Sequence, residues 1–321
     1  FRMYLKLSKL LYIMSLSEYI LSKRPTLSTG SVKTYTSTLG SLFRGLFPNE
    51  QLTVSNIVKL NNPKLTIDWL RDNKTATSRR PFLSALAVIF NNNAYREAMM
   101  ADAEILKKKV DNQKMTEEMT ENWVSQDDIV KRLELLKKEA AKQYKSGNPD
   151  LQEIQLYIIL ALLGAQYIAP RRLLDYTAFK IKNIDKNADN YIDKNELVFN
   201  AFKTAKFGQQ RVPLPKELKS ILTKYIKFNP TEYLLFDING TQLSSPQLNQ
   251  RINKIFGATK SVGVNMLRHS FLTEKYGDSI SKKKELASDM KEMGSSIAEA
   301  KYYIQEPYDI SKGANGPKGP T

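Results

Sequence analysis

The sequence predicts a mainly α-helical protein carrying one small antiparallel β-sheet, an α+β chain, and three observations lead there. Apolar residues recur at helical spacing over most of the length. One central stretch, residues 179–214, switches to alternation. At 321 residues, with 41% hydrophobic side chains, the chain is long enough to bury two cores.

Residues 1–20 read as an N-terminal arm or amphipathic helix, and the lysines scattered through its opening make it a poor signal peptide. Over 31–47, Val32, Tyr35, Leu39, Leu42, Phe43 and Leu46 share a helical face. The opposite face presents Lys33, Thr34 and Arg44, a set suited to phosphate contacts. Residues 53–60, 63–71 and 77–91 read as further helices. Arg79 and Arg80 stand near the start of the last, where the helix dipole also favours an anion. Residues 21–110 are therefore expected to form a basic, all-helical domain. The charged run 111–124, with few apolar positions, reads as a linker.

A second domain is expected over 125–304. Ser125 with Asp128 makes an N-cap signature ahead of a helix built on Ile129, Leu133, Leu136 and Ala140. Gly147-Asn148-Pro149 ends it. Residues 151–166 are apolar nearly all round, which predicts a buried core helix too short to span a bilayer. Arg172 then leaves that helix in a turn, with Asp175 three residues on and placed to hold the guanidinium rigid. The plainer alternative is a surface ion pair of little worth.

Residues 179–184, 196–202 and 210–214 alternate as strands, with Lys203 and Lys206 in the turn between the last two and Arg211 just past it. Helices are predicted over 215–228, 245–256, 264–276, 281–293 and 296–303, with a short strand at 233–236. Residues 305–321 form a tail, Gly- and Pro-rich over 313–320, expected to lack regular structure in isolation.

Lysine and arginine number 49 against 33 acidic residues, a net charge of +16, which favours a polyanionic partner because each neutralised phosphate releases counterions. Without cysteine, disulfides, thiol chemistry and thiolate metal sites are excluded. With His269 as the sole histidine, an all-histidine metal centre is excluded too. Asp185, Asn187, Asp189, Asp193 and Glu196 fit the spacing of an EF-hand calcium loop. Their flanks alternate like strands and no second loop exists, so a turn rich in Asp and Asn has the same composition for another reason.

Four features remain: Arg172 beside Asp175, a lysine in a hairpin turn, Arg268 on a helix, and the pair Tyr302-Tyr303. Cations that hold a phosphate, with a phenol delivered to it, suit a covalent phosphotyrosyl intermediate. In this order they resemble the tyrosine recombinase (phage integrase) family, over most of the chain. The run Arg172-Leu173-Leu174-Asp175 is similar to that family's first-arginine block, and Lys203-Thr204-Ala205-Lys206 with Arg211-Val212-Pro213 to its lysine hairpin. Leu267-Arg268-His269-Ser270 is similar to its second-arginine box, and Met293-Gly294-Ser295 through Tyr303 to its nucleophile segment. In style the boxes resemble those of large DNA viruses and mobile elements.

The resemblance implies a helical core-binding domain followed by a catalytic domain. It implies a site-specific recombinase, or integrase, that cuts and rejoins duplex DNA through a 3′-phosphotyrosine without metal, ATP or other cofactor. Arg172 and Arg268 would hold the scissile phosphate, Lys203 (or Lys206) would protonate the leaving oxygen, and Tyr303 (or Tyr302) would attack. Two positions depart from the family pattern: Asn265 stands where a histidine or lysine is usual, and Ser295 where His or Trp is. Both can donate a hydrogen bond, but neither is a base at neutral pH. The stretch from Ser295 to the tyrosines is a residue shorter than usual, which leaves the choice of tyrosine open. His269 is expected to be structural, packed behind Arg268. A homotetramer on double-stranded DNA is implied, its C-terminal tail docking on a neighbouring subunit. No membrane partner is expected, and the place of action would be intracellular, in a prokaryotic cytoplasm or a host nucleus or viral factory. The alternatives are a type IB topoisomerase, a catalytically impaired DNA-binding relative, and a calcium-binding protein.

Overall fold

Helix caps do much to set where the elements begin. The structure, a computed structural model, describes residues 14–111, 114–203, 205, 208–257 and 260–293. Its contacts divide the chain into two units, Phe1–Met115 and Thr116–Thr321.

The first unit carries α1 (Leu16–Lys23), α2 (Thr29–Leu46), a 3-10 turn (Ile57–Leu60), α3 (Pro63–Asn73), α4 (Ala76–Phe90) and α5 (Asn93–Asp111). Ser15 and Glu18 form a capping box at α1, and Ser28, Asn62 and Thr75 accept the orphan N–H groups of α2, α3 and α4. The apolar stripes meet in one core, where Ile20, Leu39, Leu42, Phe43, Leu60, Leu70, Leu83 and Tyr95 are buried. Each such aliphatic or aromatic side chain stabilises the fold by about 1.5–3 kcal/mol. The arm expected over 1–20 is thus partly a packed helix. The helix expected over 53–60 shortens to the 3-10 turn, because Asn56 and Thr53 turn their side chains onto the backbone.

The second unit contains α6 (Glu117–Glu121), α7 (Gln126–Lys145), α8 (Leu151–Leu163), α9 (Leu174–Thr177), β1 (Tyr191–Asp193), β2 (Glu196–Phe199) and β3 (Gln210–Pro213). Helices α10 (Lys216–Phe228), α11 (Ser245–Phe256) and α12 (Val264–Glu292) come after the sheet. Helix α8 is its axis: every residue from Ile154 to Leu163 is buried, and α7, α10 and α11 all pack on it. The sheet is antiparallel in the order β1-β2-β3. Asp193 pairs with Glu196 across a two-residue turn, and Val198 pairs with Arg211.

The fold class is therefore as the sequence predicts, mainly α with one small antiparallel sheet. Several elements differ. The charged run 111–124 holds α6, because Thr116 caps it by accepting from Met119 N at 3.2 Å. Residues 179–184 do not form a strand: Asn183 takes φ 52°, which ends extension, and Lys180 makes isolated bridges to Tyr191 and Tyr233. The strand lies at 191–193 instead. Residues 264–276 and 281–293, expected as two helices, run as the single α12 through Gly277. A lone helical glycine costs only about 1 kcal/mol against alanine, and the Lys- and Glu-rich stretch beyond it, free of Gly and Pro, favours continuation. Among the described residues no helix is long and apolar enough to cross a membrane.

Gly164 ends α8 where a Cβ would lie 2.5 Å from the Leu160 carbonyl oxygen and 3.0 Å from Ile129 Cγ2. Gly164→Ala is expected to cost about 1–3 kcal/mol through overpacking. Urea unfolding measures it, and an unchanged midpoint would contradict this account of the α7–α8 contact.

Candidate active site

The turn that leaves α8 presents two consecutive arginines, and the structure gives them different tasks. Arg171 donates from Nε to Asp175 Oδ2 at 2.8 Å and from Nη1 to Gln210 Oε1 at 2.8 Å. Its guanidinium lies 3.9 Å from the Phe199 ring centroid and 5.3 Å from that of Phe202. Phe199 in turn packs against Tyr176 and Phe179. Cation–π contact and a buried carboxylate together immobilise this arginine. The sequence-based expectation that Asp175 holds Arg172 is therefore corrected. On α9 and its lead-in turn the i,i+4 partner, Arg171, faces the carboxylate, whereas Arg172 contributes its carbonyl oxygen to Asp175 N at 3.1 Å. Among the described residues the Arg172 side chain makes no hydrogen bond or ion pair.

Asp175 is 4% exposed, and burial pushes its carboxyl above the usual carboxylate range against the opposing charge of Arg171. Its Oδ1 has no hydrogen-bond partner among the described residues, nor has the Tyr176 hydroxyl beside it, whose pKa burial also raises. Behind them Asn190 acts as a clamp. Its Nδ2 donates to the Asp175 and Ala201 carbonyls at 2.9 and 2.8 Å, and its Oδ1 accepts from Asn200 N and Ala201 N, each at 2.8 Å. One buried carboxamide thus joins the arginine turn to the base of the β2–β3 connection. Lys203 is exposed on that connection, next to Phe202. Lys206 lies outside the described residues, as do Ser295, Tyr302 and Tyr303.

Arg268 is half-buried in the first turns of α12, with Asn265 exposed one turn earlier. His269 is exposed, not packed behind Arg268. The residue that faces inward is Ser270, 1% exposed, because a helix turns about 100° per residue. Its Oγ accepts from Gln126 Nε2 at 2.8 Å, and Gln126 Oε1 accepts from Gln166 Nε2 at 3.0 Å. The two arginine segments also share α11 as a neighbour. Helix α9 packs on it, and Gly263, just ahead of α12, lies against Asn249.

The remaining candidates divide. Arg211 forms ion pairs with Glu196 at 2.8 Å and Asp193 at 3.1 Å, which raise its pKa and tie β3 to the β1–β2 hairpin. Asp185 Oδ1 accepts from Asn187 N and Asp189 Oδ2 from Asp185 N, the bonds of an Asx turn. Asp185, Asn187, Asp189, Asp193 and Glu196 thus lie in a turn followed by a hairpin. Among the described residues no three acidic, His or Cys groups stand where they could hold a metal ion.

In the first unit Arg79 donates from Nε and Nη2 to Asp102 at 2.9 and 2.5 Å, with Nη1 on the Lys74 carbonyl. It thus forms an ion pair within the fold, and the bond to Asp102 raises its pKa. Thr34 returns its hydroxyl proton to the Gly30 carbonyl. Lys33, Arg44 and Arg80 are exposed without a side-chain partner among the described residues.

Comparison with known proteins gives a likeness of fold only. No family model matches the chain, and no curated protein matches it. It is similar to the crystal structure of a lambda integrase (75–356) dimer bound to a COC′ core site, at 17% identity over 93% of this chain and 97% of that one, TM-score 0.46. It is also similar to the XerH site-specific recombinase bound to difH substrate, at 16% identity over 95% and 94%, TM-score 0.39. A lambda integrase tetramer bound to a Holliday junction is similar at 17% over 82% and 74%, TM-score 0.44. At such identities and scores the likenesses carry no weight for function, which has to be read from the chain's own residues.

Four residues that matter here were not singled out from the sequence for these roles: Arg171, Asn190, Gln210 and Gln126. Only Arg171 had a signal, its i,i+4 spacing to Asp175. Arg171→Ala is expected to destabilise the protein by about 3–5 kcal/mol by leaving Asp175 buried and unpaired. Arg172→Ala is expected to stay within about 0.5 kcal/mol of the parent. Without its cation Asp175 binds a proton still more tightly in the folded state than in the unfolded. The Arg171→Ala deficit therefore shrinks as pH falls through that raised pKa and is full at neutral pH. Urea midpoints at pH 4.5 and 7 read all three, and equal losses for the two arginines would refute this division of tasks.

Proposed function

We propose that the chain is a DNA strand-transfer enzyme of the tyrosine recombinase type, an integrase acting on duplex DNA. The observation that carries it is the pairing at the arginine turn. Arg171 makes the ion pair with Asp175, which leaves the Arg172 side chain without a hydrogen-bond or ion-pair partner among the described residues, on a backbone tied through Asn190 to the connection that bears Lys203. A cation fixed in place but left uncompensated is what a phosphodiester requires.

In this reading Arg172 and Arg268 bind the non-bridging oxygens of the scissile phosphate and stabilise charge as the pentacoordinate state forms. The phenol oxygen of Tyr303, or of Tyr302, attacks phosphorus and releases its proton to solvent water. The bond from phosphorus to the 5′ oxygen breaks, and Lys203, or Lys206, delivers a proton to that oxygen. A 3′-phosphotyrosine and a 5′ hydroxyl result, and attack by a 5′ hydroxyl reverses the step. Asn265 and Ser295 serve as hydrogen-bond donors to the phosphate. Lys33, Arg44 and Arg80 of the first unit contact the DNA backbone. The acting form is a homotetramer on DNA, its C-terminal tail seated on a neighbour, inside the compartment that holds the DNA.

A suicide duplex, nicked so that the short fragment carrying the freed 5′ hydroxyl diffuses away, is expected to trap a covalent adduct whose peptide map identifies Tyr303 or Tyr302. Arg172→Ala and Arg268→Ala are each expected to lower the rate of trapping by about 10²–10³-fold. No adduct from the parent protein with its DNA bound would leave only the reading of a DNA-binding relative. Relaxation of supercoiled plasmid by a monomer would favour the topoisomerase alternative.

Binding to duplex DNA is expected to weaken with salt, and Lys33→Ala, Arg44→Ala and Arg80→Ala should each reduce the log–log slope by about 0.9. Arg79→Ala should lower the thermal midpoint instead. An unchanged slope in all three surface variants would remove the first unit from the DNA contact.

A further inference from the structure

The two arginines proposed to grip the phosphate come from distant parts of the chain, and among the described residues no hydrogen bond joins residues 164–172 directly to residues 260–270. The link runs through the short segment that opens the second unit. Gln126 uses both ends of its carboxamide: Nε2 donates to Ser270 Oγ at 2.8 Å, and Oε1 accepts from Gln166 Nε2 at 3.0 Å. The same segment is fastened on its other side, where Lys260 Nζ donates to the Trp123 carbonyl at 2.6 Å and Ser261 N to Asn122 Oδ1 at 2.5 Å. Between them Val124 is 1% exposed, which anchors the segment in the core.

Ser270 lies two residues beyond Arg268, and that spacing is about 200° of helix rotation. A bond that holds Ser270 inward therefore sets the direction in which Arg268 points. Gln166 precedes Arg172 in the turn that leaves α8, so the other end of the same carboxamide sets the path of that turn. Neither bond touches a group expected to contact DNA.

Resting on the proposed function, we propose that Gln126 is a positioning residue for strand cleavage, holding the Arg172 turn and the Arg268 helix in register.

The test is single-turnover cleavage of the suicide duplex by the full chain, with a matched duplex whose scissile phosphate is a neutral methylphosphonate. Gln126→Met keeps the side-chain volume and loses both bonds. It is expected to cleave the phosphodiester about 10–100-fold more slowly, with DNA affinity unchanged. The methylphosphonate has one non-bridging oxygen in place of two and carries one negative charge fewer through the reaction, so its cleavage depends less on the paired arginines and should fall less. Gln126→Glu accepts from Gln166 and from the Ser270 hydroxyl turned donor, and should recover most of the rate. Ser270→Ala should lower the rate alone but add little on top of Gln126→Met. Equal losses on both substrates, or a Gln126→Met rate equal to the parent's, would overturn the proposal while leaving the recombinase reading intact. If Gln126→Met does not fold, Ser270→Ala carries the same comparison. Absence of any adduct from the parent would overturn both.

Discussion

The ion pair between Arg171 and Asp175 is the constraint on which the rest of the second unit's candidate site depends. Asp175 is buried and Arg171 partly so, and the carboxylate is not tolerable alone: taken out of water without its cation it costs several kcal/mol. The pair also lacks full satisfaction, since Asp175 Oδ1 has no hydrogen-bond partner among the described residues. Such an arrangement adds little net stability over an apolar core, but it admits a single geometry. With Phe199 beneath the guanidinium and Gln210 at its end, the turn cannot rotate without breaking a charge pair, a cation–π contact and a strand contact together. Rigidity of the turn is what the arrangement secures.

Asn190 extends that constraint to the sheet. A carboxamide has two donors and two acceptor sites, and this one uses both kinds on backbone groups of two separate segments. The position lies in a stretch that also fits a calcium loop by spacing, and the contrast is instructive. Oxygen-rich side chains at alternate positions serve either an ion or the backbone, and spacing alone does not distinguish them. What decides is where the flanking chain goes. Here it enters strands, so the turn's own N–H groups reach the carboxylates first, and Arg211 takes the two carboxylates at the hairpin.

Legibility in the sequence tracked the range of the interactions. The helices with apolar stripes, α2, α4, α7, α8 and α11, could be read directly, since periodicity and caps are local. The first-arginine turn was legible as a site, but its pairing was not. Asp175 lies three residues from Arg172 and four from Arg171, both spacings bring side chains together, and only burial of one guanidinium against Phe199 settles which. His269 was misjudged for a similar reason, as the neighbour that turns inward is Ser270. Gln126 and Asn190 carried no signal of this kind. Their partners lie far off in sequence, and polar residues that hold a tertiary contact look like any others on a solvated face.

The positive charge of the chain becomes informative once its cations are sorted by partner. Arg79, Arg171 and Arg211 each face a carboxylate and so hold the fold, while Arg251 is half-buried against the oxygens of Gln155, Gln152 and Phe236, with its pKa lowered by that burial. Arg172, Arg268 and Lys203 in the second unit, with Lys33, Arg44 and Arg80 in the first, have no such partner among the described residues. A long cationic side chain loses about 2 kcal/mol of rotamer entropy when it is fixed on an anion, and a loose backbone would add more. Arg172 avoids the second loss, because Asp175 N holds its carbonyl and Asp175 itself is held by Arg171. One arginine of the adjacent pair gives up its charge to the fold, so that the other keeps its charge on a backbone that does not move.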